Sequence, residues 1–205
     1  MIAGVEIPDT SLVREATELV RDTSTELLFH HSRRVYLFGT LQGLHGDLEL
    51  LYVGAMFHDL GLVEPYRRDD QRFEVDGADE ARRFLLVHGI DEARATRVSL
   101  GIALHATPGI PSHLDAEIAL VSAGVDTDVL GIGYDDLDPE LVCQVTDAHP
   151  RKNFKNGILA AFTAGMKDRP ETTFGTMNDD VLAHHVPGFV RSDFVDVIHN
   201  SPWPD

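Results

Sequence analysis

An apolar stripe with helical spacing runs through residues 48–56 and ends just before a histidine-aspartate pair, His58 and Asp59. Its members recur every three or four residues, as on one buried helix face: Leu48, Leu51, Tyr52, Ala55 and Met56. Adjacent helix positions point about 100° apart, so two neighbouring side chains converge on one point only beside the helix end. A buried aspartate is costly without a nearby cation. The stretch therefore predicts a helix that ends at a metal site.

The ligand types restrict the metal. Imidazole nitrogen together with carboxylate oxygen suits zinc, iron or manganese, whereas calcium prefers oxygen and structural zinc sites usually contain thiolates. Two ligands do not hold a metal, so more must come from elsewhere in the chain. His30 and His31 lie in an upstream helical segment, and Asp126 and Asp128 follow a downstream apolar run. From the residues alone, either member of each pair is a candidate.

The rest of the chain also has helical patterns. Thr23-Ser24-Thr25-Glu26 has the form of a capping box, and Asp138-Pro139 combines a cap with proline at the first helical position. Strand-like alternation and internal repeats are absent from the sequence, which predicts an all-α fold. The charged segment 62–73 is expected to be a loop that closes over the site as a lid. Helices are predicted at residues 12–20, 26 to about 43–46, 47–60, 76–86, 91–105, 116–125, from 139, 154–167, 178–185 and 192–199.

Composition limits the classes of function. A chain of 205 residues with 43% hydrophobic content is expected to form a single domain. Its formal net charge of −17 argues against nucleic acid as a partner. It leaves open a small-molecule substrate, including a small anionic one held in a local basic pocket, and homo-oligomerisation. The single cysteine, Cys143, excludes a disulfide framework and is expected to be a buried thiol. No apolar run reaches the roughly 18 residues of a membrane span, and the first residues lack the basic flank of a signal peptide. We expect a cytoplasmic protein without membrane partners.

The order of candidate ligands, His, then His-Asp, then Asp, resembles that of the HD-domain superfamily of helical metalloenzymes. Segments 31–36 and 128–131 are similar to those around the first and last ligands in its cyanamide-hydratase branch. The resemblance implies an HD-domain helical bundle with a core at about residues 25–150 and additional C-terminal helices, 151–205, packed on it. It favours His31 over His30 and Asp128 over Asp126. The implied ligands of one divalent ion, Zn²⁺ with Fe²⁺ or Mn²⁺ as alternatives, are His31, His58, Asp59 and Asp128.

The resemblance also bears on the residues around the metal. Phe73 stands where two-metal members are expected to have a histidine, which indicates a single ion. His88 is interpreted as a helix-end histidine and His105 as lining the pocket, with a satisfied core histidine as the alternative. We predict catalytic roles for Asp59, Glu74 and His105, and substrate-binding roles for Arg34, Phe73 and Asp76. A helix cap would equally explain Asp76, and an ion pair with a ligand aspartate would equally explain Arg34. The histidines left unassigned are His45, His113, His149, His184, His185 and His199.

Three functions are consistent with such a site. The resemblance implies a hydratase in which metal-activated water attacks a small nitrile-like molecule, as in the conversion of cyanamide to urea. The wider superfamily implies an HD-type phosphohydrolase acting on a nucleotide or other phosphomonoester. A metal-stabilised scaffold without catalytic activity is the alternative of a different class. The phosphohydrolase requires cationic groups, for which the candidates are Arg34, Arg67, Arg68, Arg72 and Arg82.

Overall fold

The fold consists of α-helices joined by short turns. The computed structural model describes residues 1–43 and 46–203, so His45 lies outside the described residues. Within these ranges β pairing is limited to one isolated bridge between Ile2 and Val5, which confirms the predicted all-α fold. The helices of the described ranges are α1 (Ser11–Thr23), α2 (Glu26–Leu41), α3 (Leu48–Phe57), α4 (Phe73–Val87), α5 (Glu92–Leu104), α6 (Ala116–Val125), α7 (Pro139–Ala148), α8 (Phe154–Met166), α9 (Asn178–His185) and α10 (Phe194–His199).

Side-chain caps start several helices where the sequence predicted them. Asp91 accepts a hydrogen bond from the Arg94 amide at 3.0 Å at the start of α5. Asp138 caps α7, with proline in the first turn. Both aspartates satisfy amide groups that have no partner inside the helix.

One predicted cap and one predicted helix start were wrong. The cap of α2 is Thr25, whose hydroxyl accepts from the Leu28 amide at 3.3 Å, because α1 continues through Thr23. Helix α4 begins at Phe73, so Asp76 lies inside its first turn and not at the cap. Both corrections show how several adjacent polar residues leave a helix boundary uncertain by a few positions.

Helix α3 is the centre of the bundle. Every residue from Leu50 to Phe57 is buried, as expected for a helix that is apolar on all sides. It packs against helices α1, α2, α4, α5 and α6. His58 follows at its C-terminal end, and a 3₁₀ turn, Leu60–Leu62, comes directly after Asp59. The central position of α3 therefore carries the histidine-aspartate pair into the interior of the protein.

Two glycines permit the close backbone contacts that shape this interior. A Cβ atom at Gly124 of α6 would lie 2.1 Å from the Val35 carbonyl oxygen of α2. A Cβ atom at Gly61 would lie 2.0 Å from the Phe73 carbonyl oxygen at the start of α4. Only glycine fits such approaches. They bring the start of α4 against the turn after Asp59, and the end of α6 against α2.

The C-terminal helices α8 and α9 pack on the bundle through a second apolar cluster. Helix α10 contributes no buried residue. The second apolar cluster consists of Leu28, Leu62, Phe73, Phe154, Ile158, Met166 and Leu182.

None of the described helices is both long enough and apolar enough to cross a membrane.

The segment 62–73, expected to act as a lid, is fastened by Arg169 from the C-terminal part of the chain. The Arg169 guanidinium is buried and donates to the carbonyl oxygens of Gly61 at 2.6 Å, Arg68 at 2.7 Å and Gln71 at 3.0 Å. It also forms an ion pair with the Asp76 carboxylate. These contacts fasten the segment to the C-terminal part of the chain and do not favour the expected closure as a lid.

The expectation for Cys143 was also wrong. Its side chain is exposed, because α7 turns Val142 and Val145 towards the core and leaves the position between them facing outward. The apolar residues around Cys143 in the sequence did not show whether it lies on the buried or the exposed face of α7.

Candidate metal centre

Three buried histidines direct their Nε2 atoms at the carboxylate of Asp59. The distances are 3.6 Å from His31 and 3.3 Å from His58 to Oδ2, and 3.9 Å from His105 to Oδ1. The Nε2 atoms of His31 and His58 are themselves 3.2 Å apart. The ligand atoms of His31, His58 and Asp59 all lie within 4.8 Å of one another. These three residues, from α2 and the end of α3, thus have the spacing of a shared ion.

The hydrogen bonds of the Nδ1 atoms show which ring nitrogen of His58 and His105 carries the proton. The Nδ1 atoms of His58 and His105 lie 2.7 Å and 2.6 Å from the carbonyl oxygens of Ala55 and Ile102. A carbonyl oxygen only accepts hydrogen bonds, so each Nδ1 carries the proton. In a neutral imidazole the Nε2 atom then presents a lone pair. When both rings are neutral, two lone pairs therefore face one carboxylate, an arrangement that repels itself without a cation.

The Asp59 carboxylate is the buried group that most needs a counter-ion. Both of its oxygens are buried and have no hydrogen-bond partner among the described residues. Such a carboxylate carries a large desolvation cost unless a cation compensates it. Two imidazole nitrogens and one carboxylate oxygen suit a divalent ion such as zinc. The residues present therefore fit the metal that the sequence predicts.

Burial and neighbouring groups set the charges of this cluster. Burial lowers the pKa of His31, and it lowers the pKa of His105 to about 4. Burial alone would raise the pKa of Asp59, but attraction to protonated His58 and His31 outweighs it and holds that pKa below its usual range. Burial likewise disfavours the charged form of His58, but Asp59 outweighs it and raises the pKa of His58. At neutral pH the cluster thus combines a charged carboxylate with a neutral His105.

Asp128 lies on the other side of the His31 ring. Its Oδ2 is 2.7 Å from His31 Nδ1, and it pairs with Arg34, whose Nε and Nη2 donate at 2.8 and 2.9 Å. Arg151 also forms an ion pair with it. In this arrangement Asp128 fixes the orientation of His31 and does not share the position that His31 Nε2 faces. The geometry therefore favours a positioning role over the ligand role predicted from the sequence.

Four of the five N–H donors of Arg34 bind protein acceptors. Its side chain is fully buried, and besides the pair with Asp128 it donates to the carbonyl oxygens of His149 and Pro150 at 3.1 Å each. The predicted substrate-binding role does not fit these contacts. The ion-pair interpretation considered alongside it does.

Glu74 and Asp76 also have protein partners. Glu74 is fully buried and accepts from Arg72 at 2.9 Å and from Asn178 Nδ2 at 3.0 Å. Asp76 accepts from the Arg68 amide at 3.1 Å, in addition to its pair with Arg169. The contacts of Asp76 fasten the segment 62–73 and leave the predicted substrate contact without support. Glu74 holds the side-chain amide of Asn178 in place, and its catalytic role stays a prediction.

His30 and His88, the two other histidines considered as ligands, lie outside the cluster. His30 Nδ1 lies 3.0 Å from His149 Nδ1. His88 ends α4, with its Nδ1 2.8 Å from the Phe84 carbonyl oxygen and its Nε2 2.9 Å from Glu15. The choice of His31 over His30, and the structural interpretation of His88, agree with these placements.

A cavity of about 170 Å³ lies beside the cluster, and His105 is the residue that reaches both. The Phe73 ring packs edge-on against His105, with centroids 5.7 Å apart, and forms part of the wall. A larger open groove of about 750 Å³ between residues 174–180 and 191–194 does not touch the cluster. The cavity of about 170 Å³ beside the cluster is lined by Phe73, His105, Ala106, Val125, Asp126, Val129, Leu130, Leu159, Phe162, Met177, Asn178 and Val181.

Sequence reasoning missed Asn178 and Arg169 entirely. Asn178 opens α9, more than a hundred positions after Glu74, and a lone asparagine after a polar turn gives no local sign of such a contact. Arg169 follows α8 in a charged stretch that is typical of surface. Only its burial distinguishes it.

A helical bundle with a buried histidine-aspartate cluster at the end of its central helix defines a class of metal-dependent enzyme. The sequence profile of the HD domain matches residues 28–152, which include His31, His58, Asp59, His105 and Asp128. The chain therefore belongs to the HD domain family, which consists largely of metal-dependent hydrolases. This match does not separate the branches of the family. No curated protein matched the chain.

Proposed function

We propose that this HD-domain protein is a zinc-dependent hydratase that adds water to a small neutral nitrile, as in the conversion of cyanamide to urea. The observation that supports it is the Asp59 carboxylate, which has no hydrogen-bond partner among the described residues and is faced by three imidazole Nε2 atoms. The described residues that line the neighbouring cavity include no lysine or arginine. The site combines a place for a Lewis acid with a pocket for an uncharged molecule.

The arginines that a phosphohydrolase would need are already paired with carboxylates. A phosphate ester requires cationic donors at its oxygens, and the net charge of −17 gives no long-range attraction for it. This observation favours a neutral substrate over a phosphomonoester. The pairs are Arg34–Asp128, Arg67–Glu64, Arg68–Asp70, Arg72–Glu74 and Arg82–Glu92.

His31, His58 and Asp59 would hold the ion. A divalent cation there supplies Lewis acidity, which makes water nucleophilic near neutral pH and polarises a nitrile. The Nδ1–H group of His105 is bound to the Ile102 carbonyl oxygen, so its Nε2 would accept a hydrogen bond from the attacking water and orient it. The water oxygen bonds to the nitrile carbon, and both water protons end on the former nitrile nitrogen. The product of cyanamide is urea, with no oxidant or reductant required.

Urea release from cyanamide by zinc-loaded protein tests this proposal, alongside phosphate release from a panel of nucleotide monophosphates. We expect urea and no phosphate. We also expect His105→Gln to lower urea formation about 100-fold, since a positioned proton acceptor contributes roughly 10²–10⁴-fold. His88→Gln is the matched control, because His88 lies at the end of α4 outside the cluster.

The other outcomes identify the alternatives. Phosphate release without urea would overturn the hydratase and establish a phosphohydrolase. Zinc retention with no turnover of either class would favour the non-catalytic scaffold.

A further inference from the structure

Asp126 is the one acidic side chain in the lining of the cavity beside the metal centre. It is half-buried, and among the described residues its carboxylate has no salt bridge and no side-chain hydrogen bond. Asp128, two positions later, forms ion pairs with both Arg34 and Arg151. Asp126 is therefore a free hydrogen-bond acceptor in a wall that is otherwise mostly apolar.

The cavity is too large for cyanamide alone. Its volume is about 170 Å³, which is room for roughly five or six waters at about 30 Å³ each. Cyanamide has only three non-hydrogen atoms. The remaining space is bounded by aliphatic and aromatic side chains, including Val129, Leu159 and Val181. An apolar substituent of a few carbon atoms would fill it, and its burial would contribute to binding.

We propose that the preferred substrate is an N-alkyl cyanamide, whose N–H group donates to Asp126 and whose alkyl chain occupies the apolar part of the cavity. The proposal rests on the proposed hydratase function and specifies its substrate class. The reaction is R–NH–C≡N plus water to R–NH–C(=O)–NH₂. The water oxygen forms the new C–O bond, and both water protons end on the former nitrile nitrogen.

A comparison of three substrates tests the two contacts in the wild-type protein loaded with zinc. N-butylcyanamide supplies both the N–H donor and the chain, cyanamide supplies only the donor, and N-butyl-N-methylcyanamide supplies only the chain. We expect kcat/KM for N-butylcyanamide to exceed that for each of the others about tenfold or more. Equal values for all three would overturn the proposal.

Asp126→Asn isolates the hydrogen bond, because asparagine has a similar shape without the charge. We expect it to raise KM for N-butylcyanamide about tenfold, in line with the greater strength of hydrogen bonds to charged groups, and to leave the N-methylated compound unaffected. Asp135→Asn, at an exposed position outside the cavity, is the matched control. A similar change of KM for N-butylcyanamide and for N-butyl-N-methylcyanamide would show that Asp126 does not bind the N–H group.

Val181→Phe isolates the apolar part, because it fills the cavity from α9. We expect turnover of N-butylcyanamide to fall strongly while that of cyanamide persists. Val87→Phe is the control, since Val87 is exposed on α4 away from the cavity. If both substrates were affected equally, the alkyl chain would not occupy this cavity.

Binding of the inert product N-butylurea, measured by calorimetry, separates failure of this proposal from failure of the hydratase function. If no nitrile is hydrated but N-butylurea binds and Asp126→Asn weakens it about tenfold, the hydratase function fails and the recognition stands. If cyanamide is hydrated but N-butylurea binds no better than urea, the recognition fails and the hydratase stands. Absence of both turnover and binding overturns both.

Discussion

Replacing Asp128 with asparagine should weaken metal binding about 10–100-fold without abolishing it, the range found when a group behind a metal-bound histidine is lost. Asp128 contacts His31 through Nδ1 at 2.7 Å, whereas the candidate ion position lies at Nε2, which faces Asp59. An asparagine oxygen still accepts from Nδ1, but without the charge that strengthens His31 as a ligand. Replacement of a direct metal ligand would weaken metal binding by a much larger factor.

The same substitution should destabilise the metal-free protein by about 3–5 kcal/mol, the usual consequence of removing one partner of a buried ion pair. Arg34 is fully buried and bonds to both Asp128 oxygens, at 2.8 and 2.9 Å. Asparagine offers it a single neutral oxygen. The guanidinium charge would then be left in the interior with only carbonyl oxygens and one amide for partners.

Chelator competition measures the zinc affinity, and urea unfolding followed by circular dichroism measures the stability of the metal-free protein. Asp135→Asn, an exposed substitution, serves as the control. A loss of affinity as large as that of Asp59→Asn would refute the positioning role and restore Asp128 as a direct ligand. Unchanged affinity and unchanged stability would refute the contact altogether.

Two further changes test the packing and the charges around the centre. Gly61→Ala should lower the free energy of unfolding by about 2 kcal/mol or more, because the added Cβ atom would lie 2.0 Å from the Phe73 carbonyl oxygen. Chemical denaturation measures this free energy, and an unchanged midpoint would contradict the close contact between Gly61 and Phe73. Burial, and then the nearby Arg33, lower the pKa of His149 to about 4, so its contribution to stability is present above pH 6.5 and is lost as the pH falls towards 4. Relative to His149→Gln, the wild type should therefore lose roughly 1–2 kcal/mol across that range, and parallel pH profiles for the two proteins would exclude the shift.

The helices and the centre of the site could be predicted because their signals are local. The stripe on α3 and the adjacent His58-Asp59 pair are visible within about a dozen residues, and they indicated both the buried helix and the metal cluster. The caps at Asp91 and Asp138 are local as well, whereas Thr23 and Thr25 were confused because several neighbouring residues have capping side chains.

The roles of the charged residues depend on distant partners and could not be predicted in the same way. Asp128 meets Arg34 across 94 positions of sequence, and Asp76 meets Arg169 across 93. Sequence indicates that such side chains are present, but not which nitrogen of His31 faces which carboxylate. That single geometric fact favours a positioning role for Asp128 over the ligand role predicted from the sequence.

The most direct test of the metal centre is a zinc titration of the metal-free protein at pH 8, for wild type and for Asp59→Asn. The wild type should bind one zinc ion per chain and become more stable on binding it. Asp59→Asn should bind none tightly, and its metal-free form should be more stable than that of wild type by about 1–3 kcal/mol, because the substitution removes a buried charge without a partner. Unchanged zinc binding by Asp59→Asn, or a metal-free variant clearly less stable than wild type, would contradict the assignment of this cluster as a metal site.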